Sequence, residues 1–182
     1  RFDRILDERG VNVYRGTAAT RAAENTLVLS DGKSLELNEI LWVTGASAPA
    51  WLRESGLDVD EHGFINVYDT LQTTTDSHVF AAGDIANVLN FPRPKAGVFA
   101  VRQGKPLTNN LRRALVDQPL QAFSPQKTML ALISAGDKYA VAAKAGIVAE
   151  GAWLWTWKDW IDRRFMGKYG DLPEMIQKSQ PL

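Results

Sequence analysis

The sequence predicts an α/β protein with a small α+β domain at its C-terminal end, and three observations carry that prediction. The run Val79-Phe80-Ala81-Ala82-Gly83-Asp84 reads as a buried strand ending in a glycine and a carboxylate, and a helix-forming segment, Ala96 to Leu115, follows it. Glu39-Ile40-Leu41-Trp42-Val43-Thr44-Gly45-Ala46 is a second apolar strand that closes on a small, glycine-containing turn. After residue 128, three short strand-like runs precede a tryptophan-rich helix. Strands that alternate with helices and then give way to a separate sheet point to an α/β body and a smaller appended domain.

The elements follow in order. Phe2 to Arg9 reads as a helix, and Val11-Asn12-Val13-Tyr14-Arg15 alternates like a half-buried strand. Leu27-Val28-Leu29 and Leu35-Glu36-Leu37 flank Ser30-Asp31-Gly32-Lys33, which predicts a hairpin, with Asp-Gly supplying the positive φ angles of a type I′ turn. The strand over 40–44 ends this first unit. Pro49 to Gly56 reads as a short connecting helix, with proline near its start and glycine after its end. Gly63-Phe64-Ile65-Asn66-Val67 and Leu71-Gln72-Thr73-Thr74-Thr75 lead to the strand at Val79, and Asn87 to Lys95 reads as an irregular loop. Pro106 sits inside the following helix and costs about 3 kcal/mol there, so a bend or restart is expected near Gly104-Lys105-Pro106, with Leu107 to Val116 continuing as helix.

Met129-Leu130-Ala131-Leu132-Ile133, Tyr139-Ala140-Val141-Ala142-Ala143 and Gly146-Ile147-Val148-Ala149 predict a small antiparallel sheet, with turns at 134–138 and 144–146. In the run from Trp153 to Met166, Trp153, Trp157, Trp160, Ile161 and Phe165 share one helical face by their spacing. Such a stripe either packs on the small sheet or a partner subunit, or lies at a membrane surface, where tryptophan is favoured. The opposite face carries Lys158, Asp159, Asp162, Arg163 and Arg164, which is balanced rather than cationic, so packing is the preferred expectation.

Composition narrows the function. Lys plus Arg and Asp plus Glu both number 21, and the resulting zero net charge argues against nucleic acid as the main partner. No apolar run approaches the ~20 residues that span a bilayer. Without cysteine, neither a disulfide scaffold nor a thiolate metal site can form, and two histidines, His62 and His78, make a histidine metal centre unpromising. No metal is expected, and the default location is cytoplasmic.

Asp84 is the residue with the clearest chemistry. A carboxylate leaving the end of a buried strand accepts hydrogen bonds from ligand hydroxyls, and Gly83 beside it removes the side chain that would block a close ligand. Ligands of open α/β sheets bind at the carboxyl ends of strands. A turn aspartate that merely caps a helix is the competing reading. Lys95 is read as a solvated surface group.

The pair of motifs, Leu41-Trp42-Val43-Thr44-Gly45 and Thr73-Thr74-Thr75 through Val79-Phe80-Ala81-Ala82-Gly83-Asp84, resembles the two-dinucleotide-domain flavoproteins: the pyridine nucleotide–disulfide oxidoreductases and the related type II NADH dehydrogenases. The resemblance spans about residues 1 to 115. It implies a partial FAD/NAD(P)-binding, Rossmann-like fold in three parts. Residues 1–48 end the NAD(H)-binding domain, 49–117 form the C-terminal part of the FAD-binding domain, and 118–182 form an interface domain with the Trp-rich helix. It also implies that Asp84 binds the ribityl chain of FAD with Gly83 clearing its approach. The helix beginning at Ala96, Gly97 and Val98 points its amino end at the flavin, where the helix dipole favours negative charge. Thr44 and Gly45 then lie near the cofactor at the domain crossover.

The sequence contains no Gly-x-Gly-x-x-Gly fingerprint, whereas a member of this family needs two such phosphate loops. The chain is therefore read as the C-terminal portion of a longer flavoprotein, inactive and weak in FAD binding by itself. The acidic discriminator of NADH from NADPH would lie upstream. Disulfide reductases of the family carry a His–Glu pair in the C-terminal domain, across a dimer. This chain has no histidine after His78, which directs the reading to branches whose flavin passes electrons on directly. The quinone-reducing branch lines its quinone pocket near Gln103 but has glutamine where this chain has Gly97, so a quinone acceptor is allowed and not indicated. The ending Trp157-Lys158-Asp159-Trp160-Ile161-Asp162-Arg163-Arg164-Phe165-Met166 resembles NADH dehydrogenase-like flavoproteins encoded beside, or fused to, selenide, water dikinase.

The expectation is thus an FAD-dependent oxidoreductase that passes electrons from NAD(P)H through flavin to an unidentified acceptor. No residue stands out as proton donor or nucleophile. Trp153, Trp157 and Trp160 are the candidate contacts for a membrane surface or a protein partner, and a homodimer is allowed. The alternative is a non-catalytic interaction module that keeps the flavoprotein fold.

Overall fold

A computed structural model describes residues 1–170; the end of the expected interface domain, 171–182, lies outside the described residues. The chain divides into two compact units, Ala19–Lys127 and Arg1–Ala18 with the segment from Thr128 onward.

The first unit opens on a three-stranded antiparallel sheet of β1 (Ala19–Ala23), β2 (Thr26–Leu29) and β3 (Ser34–Glu36) in the order β1-β2-β3. The β2–β3 hairpin forms where Asp-Gly marked it, with a different turn. The Leu29 amide donates to the Lys33 carbonyl at 2.8 Å and the Gly32 amide to the Leu29 carbonyl at 3.0 Å, and of the turn residues only Gly32 has positive φ (+84°). This is a three-residue loop, a type I turn closed by a left-handed glycine, in place of the type I′ turn. The Asp31 carboxylate accepts the Lys33 amide at 3.1 Å, which holds its pKa below the usual value.

The strand expected over 40–44 does not form. Leu41, Trp42 and Val43 are 87%, 57% and 83% exposed and belong to no sheet, because no strand among the described residues offers this backbone a ladder. Helix α2 (Trp51–Glu54) lies where the Pro49–Gly56 pattern placed it, and Gly56 follows with φ +80°. Its Leu52 enters a core with Ile65, Val67, Leu71, Ala81, Ala86 and Val88.

That core is built around a parallel pair, β4 (Ile65–Val67) and β5 (Ala86–Val88), in register Ile65↔Ala86, Asn66↔Asn87 and Val67↔Val88. β5 takes the first two residues of the expected loop 87–95. The run Val79 to Ala82 is extended with Ala81 buried, and it bridges Gln72↔Phe80 without forming a full strand. Leu71 is fully buried at φ +65°, a conformation unfavourable for a leucine. It is held from both sides, since its side chain fills the core while the preceding Thr70 carbonyl is gripped by Asn110.

Helix α3 runs unbroken from Gly97 to Ala114 through Pro106, so the expected restart is absent. Pro106 has no amide to donate to the Arg102 carbonyl, and Arg102 is an exposed residue. Phe99, Gln103 and Asn110 form the buried face of α3. Asn110 is fully buried: its Nδ2 donates to the carbonyls of Thr70 and Gln121 at 2.8 Å each, and its Oδ1 accepts the Gln121 amide at 2.9 Å.

The second unit begins with α1 (Phe2–Glu8). α1 closes in a Schellman motif, with the Val11 amide on the Leu6 carbonyl and the Gly10 amide on the Asp7 carbonyl, both at 2.9 Å, and Gly10 at φ +68°. Val11 to Arg15 forms no strand; Val11, Val13 and Tyr14 are about half exposed. The helix cap takes the amide of Val11, and no neighbouring strand pairs with the rest. The three-stranded antiparallel sheet forms as expected, from β6 (Ala131–Ser134), β7 (Ala140–Lys144) and β8 (Ile147–Gly151). Ala145 and Gly146 both have positive φ, giving the two-residue turn that suits the twist of a hairpin.

Helix α4 (Ala152–Gly170) packs on this sheet through Leu154, which is 1% exposed and meets Ala140 and Ala142, with Trp155, Leu132 and Ala149 around them. The tryptophan stripe is covered only at its edge: Trp153 and Trp157 line an open apolar groove with Ala142, Ile147 and Ala149 of the sheet. Trp153, Trp157 and Trp160 are 63%, 40% and 55% exposed, so the expected packing of that stripe on the sheet is not found.

Candidate functional site

The site grows from the end of the run at Val79. Ala82 is extended, and Gly83 then turns at φ +76° into a single 3-10 turn, Gly83–Ile85, before β5 begins. A side chain is disfavoured at that φ, which is the local reason for glycine. The turn also lies against α3: a Cβ on Gly83 would stand 3.6 Å from the Ala100 Cβ. Asp84 is exposed, caps no helix end and forms no hydrogen bond or ion pair among the described residues, so the helix-capping reading fails. Its carboxylate is open to an external donor.

Around this turn lies a cleft lined by Gly83, Asp84, Asn87, Arg93, Lys95 and Gln103, with Phe91, Phe99 and Ala100 as its apolar surface. Its polar side chains are fixed. Arg93 donates to the Gln126 carbonyl at 3.2 Å and the Pro92 carbonyl at 2.8 Å. The Asn87 amide donates to Asn66 Oδ1 at 2.8 Å, Asn66 to Asp58 Oδ2 at 3.0 Å, and Thr74 to the same Asp58 oxygen at 3.0 Å. This polar ladder behind the cleft fixes the Asn87 side chain.

Lys95 is not the solvated group expected. Its Nζ donates to the Ala86 carbonyl at 2.7 Å and lies 4.0 Å over the Phe64 ring. Burial pushes its pKa below the ordinary lysine value, against the fields of Asp60 and Asp84, which favour the cation. The cleft therefore pairs a free carboxylate with an anchored ammonium.

Of the expected site residues, Gly83 and Asp84 are together in this cleft. Gly97 and Val98 form the exposed first turn of α3, whose Phe99, Ala100 and Gln103 line the cleft. Helix geometry leaves the Gly97 and Val98 amides without an intrahelical acceptor, and a Cβ on Gly97 would meet nothing within 4 Å. Thr44 and Gly45 are exposed and line no part of the cleft. Asn87, Arg93 and the anchored state of Lys95 went unforeseen. Gln103 had a detectable signal: with Phe99 turned inward, the residues four and eleven positions on, Gln103 and Asn110, share its face. Among the described residues no group of acidic, histidine or cysteine side chains is placed to hold a metal ion.

A glycine–carboxylate turn at the end of an extended run thus lies beside the first turns of α3 and leads into a parallel β-pair. The sequence profile of the pyridine nucleotide-disulphide oxidoreductase family matches residues 1–104, and the chain belongs to that family. Within it, the chain is 33% identical over 125 residues to the type II NADH:quinone oxidoreductase of Haemophilus influenzae, covering 65% of this chain and 28% of that protein. It is 27% identical over 169 residues to an NADH dehydrogenase-like protein of Mycobacterium tuberculosis, covering 90% of this chain and 42% of the relative. The chain thus spans well under half the length of these relatives.

Among solved structures, the sulfide:quinone oxidoreductase of Aquifex aeolicus superposes with a TM-score of 0.69 at 14% identity, over 91% of this chain and 43% of its own. An NAD-dependent persulfide reductase from A. fulgidus gives 0.59 at 23% identity, over 78% and 27%. These likenesses concern the fold, which is α/β and corresponds to part of the larger oxidoreductase fold.

Proposed function

We propose that this chain contributes the flavin-side wall of an FAD-dependent oxidoreductase that carries electrons from NAD(P)H to a further acceptor. The observation that carries the reading is the Gly83–Asp84 turn: a free carboxylate beside a glycine at φ +76°, in a cleft whose other wall is the first turns of α3. These residues suit FAD. The carboxylate forms no hydrogen bond among the described residues, the glycine keeps the approach clear, and the open space at Gly97 admits a flat ring. FAD, when bound, supplies the redox chemistry, and the protein supplies binding, orientation and electrostatics.

In this reading Asp84 accepts hydrogen bonds from the ribityl hydroxyls. The Gly97 and Val98 amides, at the positive end of the α3 dipole, favour negative charge placed before them. Thr44 and Gly45 serve at the crossover between domains. Residues 1–48 belong with nucleotide binding, 49–117 with FAD and 118–182 with an interface. The Haemophilus influenzae relative named for quinone reduction supports a quinone as the acceptor. The exposed Trp153, Trp157 and Trp160 support attachment to a cytoplasmic membrane surface or to a protein, a second copy included. Among the described residues no helix is long and apolar enough to cross a membrane. The same exposed face favours the second reading, a non-catalytic interaction module.

Asp84→Ala in the full-length protein tests the first reading. The FAD dissociation constant, followed by the visible spectrum, should rise roughly tenfold, the scale of a lost charge-assisted hydrogen bond. Unchanged affinity would remove Asp84 from the site.

A further inference from the structure

We infer that Gln103 is a positioning residue for this site: its carboxamide clamps the Gly83–Asp84 turn to α3 and thereby sets where the Asp84 carboxylate stands. The inference rests on the reading of Asp84 as an FAD ligand. Its physical basis is one hydrogen bond. The Gly83 amide donates to Gln103 Oε1 at 2.5 Å, across 20 residues of sequence. Gln103 is 7% exposed, one of three buried polar residues among the described residues, with Thr73 and Asn110. A glutamine that deep is stable only when its polar atoms are engaged, and the turn amide engages the acceptor.

The turn needs that restraint. It is one 3-10 turn between two extended residues, Ala82 and Ala86, with no side-chain cap. Its glycine is the least restricted residue type in the chain. The Asp84 side chain forms no hydrogen bond of its own, so its position is inherited from the backbone. Gln103 fixes that backbone one residue upstream. The acceptor oxygen of Gln103 is spent on the protein's own amide.

The test is a double-mutant cycle on FAD affinity in the full-length protein, with Asp84→Ala, Gln103→Leu and the pair. If Gln103 acts through Asp84, Gln103→Leu raises the FAD dissociation constant roughly tenfold. The pair then binds no more weakly than Asp84→Ala alone, because the turn no longer carries a ligand group. Gln103→Glu, whose carboxylate still accepts the Gly83 amide, restores affinity to within about threefold of the parent. A role in folding alone would lower affinity by the same factor in either background, and that additivity would overturn the inference. Affinity unchanged in Gln103→Leu, with only the Michaelis constant for quinone raised, would overturn it as well. Failure of Asp84→Ala alone would instead sink the ligand reading on which this one stands. Should Gln103→Leu not fold, Gln103→Asn, which keeps the amide but shortens the arm, carries the same expectation.

Discussion

Residues 19–127 and the segment from Thr128 to Gly170 use their apolar residues in opposite ways. The first leaves Leu41, Trp42, Val43 and Trp51 exposed but gathers a core around Leu52, Val67 and Leu71 and locks it with polar side chains: Thr73, Gln103 and Asn110 are all buried, and each bonds to backbone. The second buries little beyond Ala140, Val141, Ala142 and Leu154 while leaving large aromatics in solvent. One region is organised to hold a short turn in place. The other is organised to display a surface. The difference shows that burial of polar atoms, more than apolar area, marks where this molecule fixes geometry.

The comparison can be broken at three points. The largest effect is expected at Asn110. Asn110→Ala strips partners from the Thr70 and Gln121 carbonyls and from the Gln121 amide, and also releases the strained turn at Leu71. Denaturant unfolding should register a loss of about 3 kcal/mol. A loss below about 1 kcal/mol would mean that water replaces the clamp without cost. Leu154→Ala comes next. Buried leucines lose about 2–5 kcal/mol on truncation, and the thin shell around Leu154 can close inward, so about 2 kcal/mol is expected from the same measurement. The smallest effect belongs to Trp153→Gln and Trp160→Gln, each within about 0.5 kcal/mol of the parent. A loss of more than about 1 kcal/mol at either would show the stripe packing after all and erase the contrast.

What the sequence disclosed follows the same division. Local signals were legible: the Asp31-Gly32 hairpin, the short helix before Gly56, the three antiparallel strands after residue 128 and the glycine–carboxylate turn at 83–84 all stand where their residues placed them. Pairing was not legible, because a strand exists only with a neighbour. Val11–Arg15 and 40–44 have strand-like sequences and no ladder. Pro106 signalled a restart that the helix does not make, since α3 continues through it. The tryptophan stripe left its neighbour open, because amphipathic spacing identifies a face without saying what meets it. In the cleft, Asp84 was visible as a carboxylate at a strand end. The anchoring of Lys95 and Gln103 was hidden, since it depends on backbone groups 9 and 20 residues away.

The outward-facing indoles have an optical consequence. Five of the six tryptophans, Trp42, Trp51, Trp153, Trp157 and Trp160, are exposed, and three of them lie on one helix. Indole emission shifts to the red in water and to the blue when water is excluded. The protein thus carries an intrinsic lamp on the face whose neighbour is in question. Emission that is red and readily quenched by iodide in the isolated protein, and that turns blue on mixing, would announce the arrival of a partner without any attached dye.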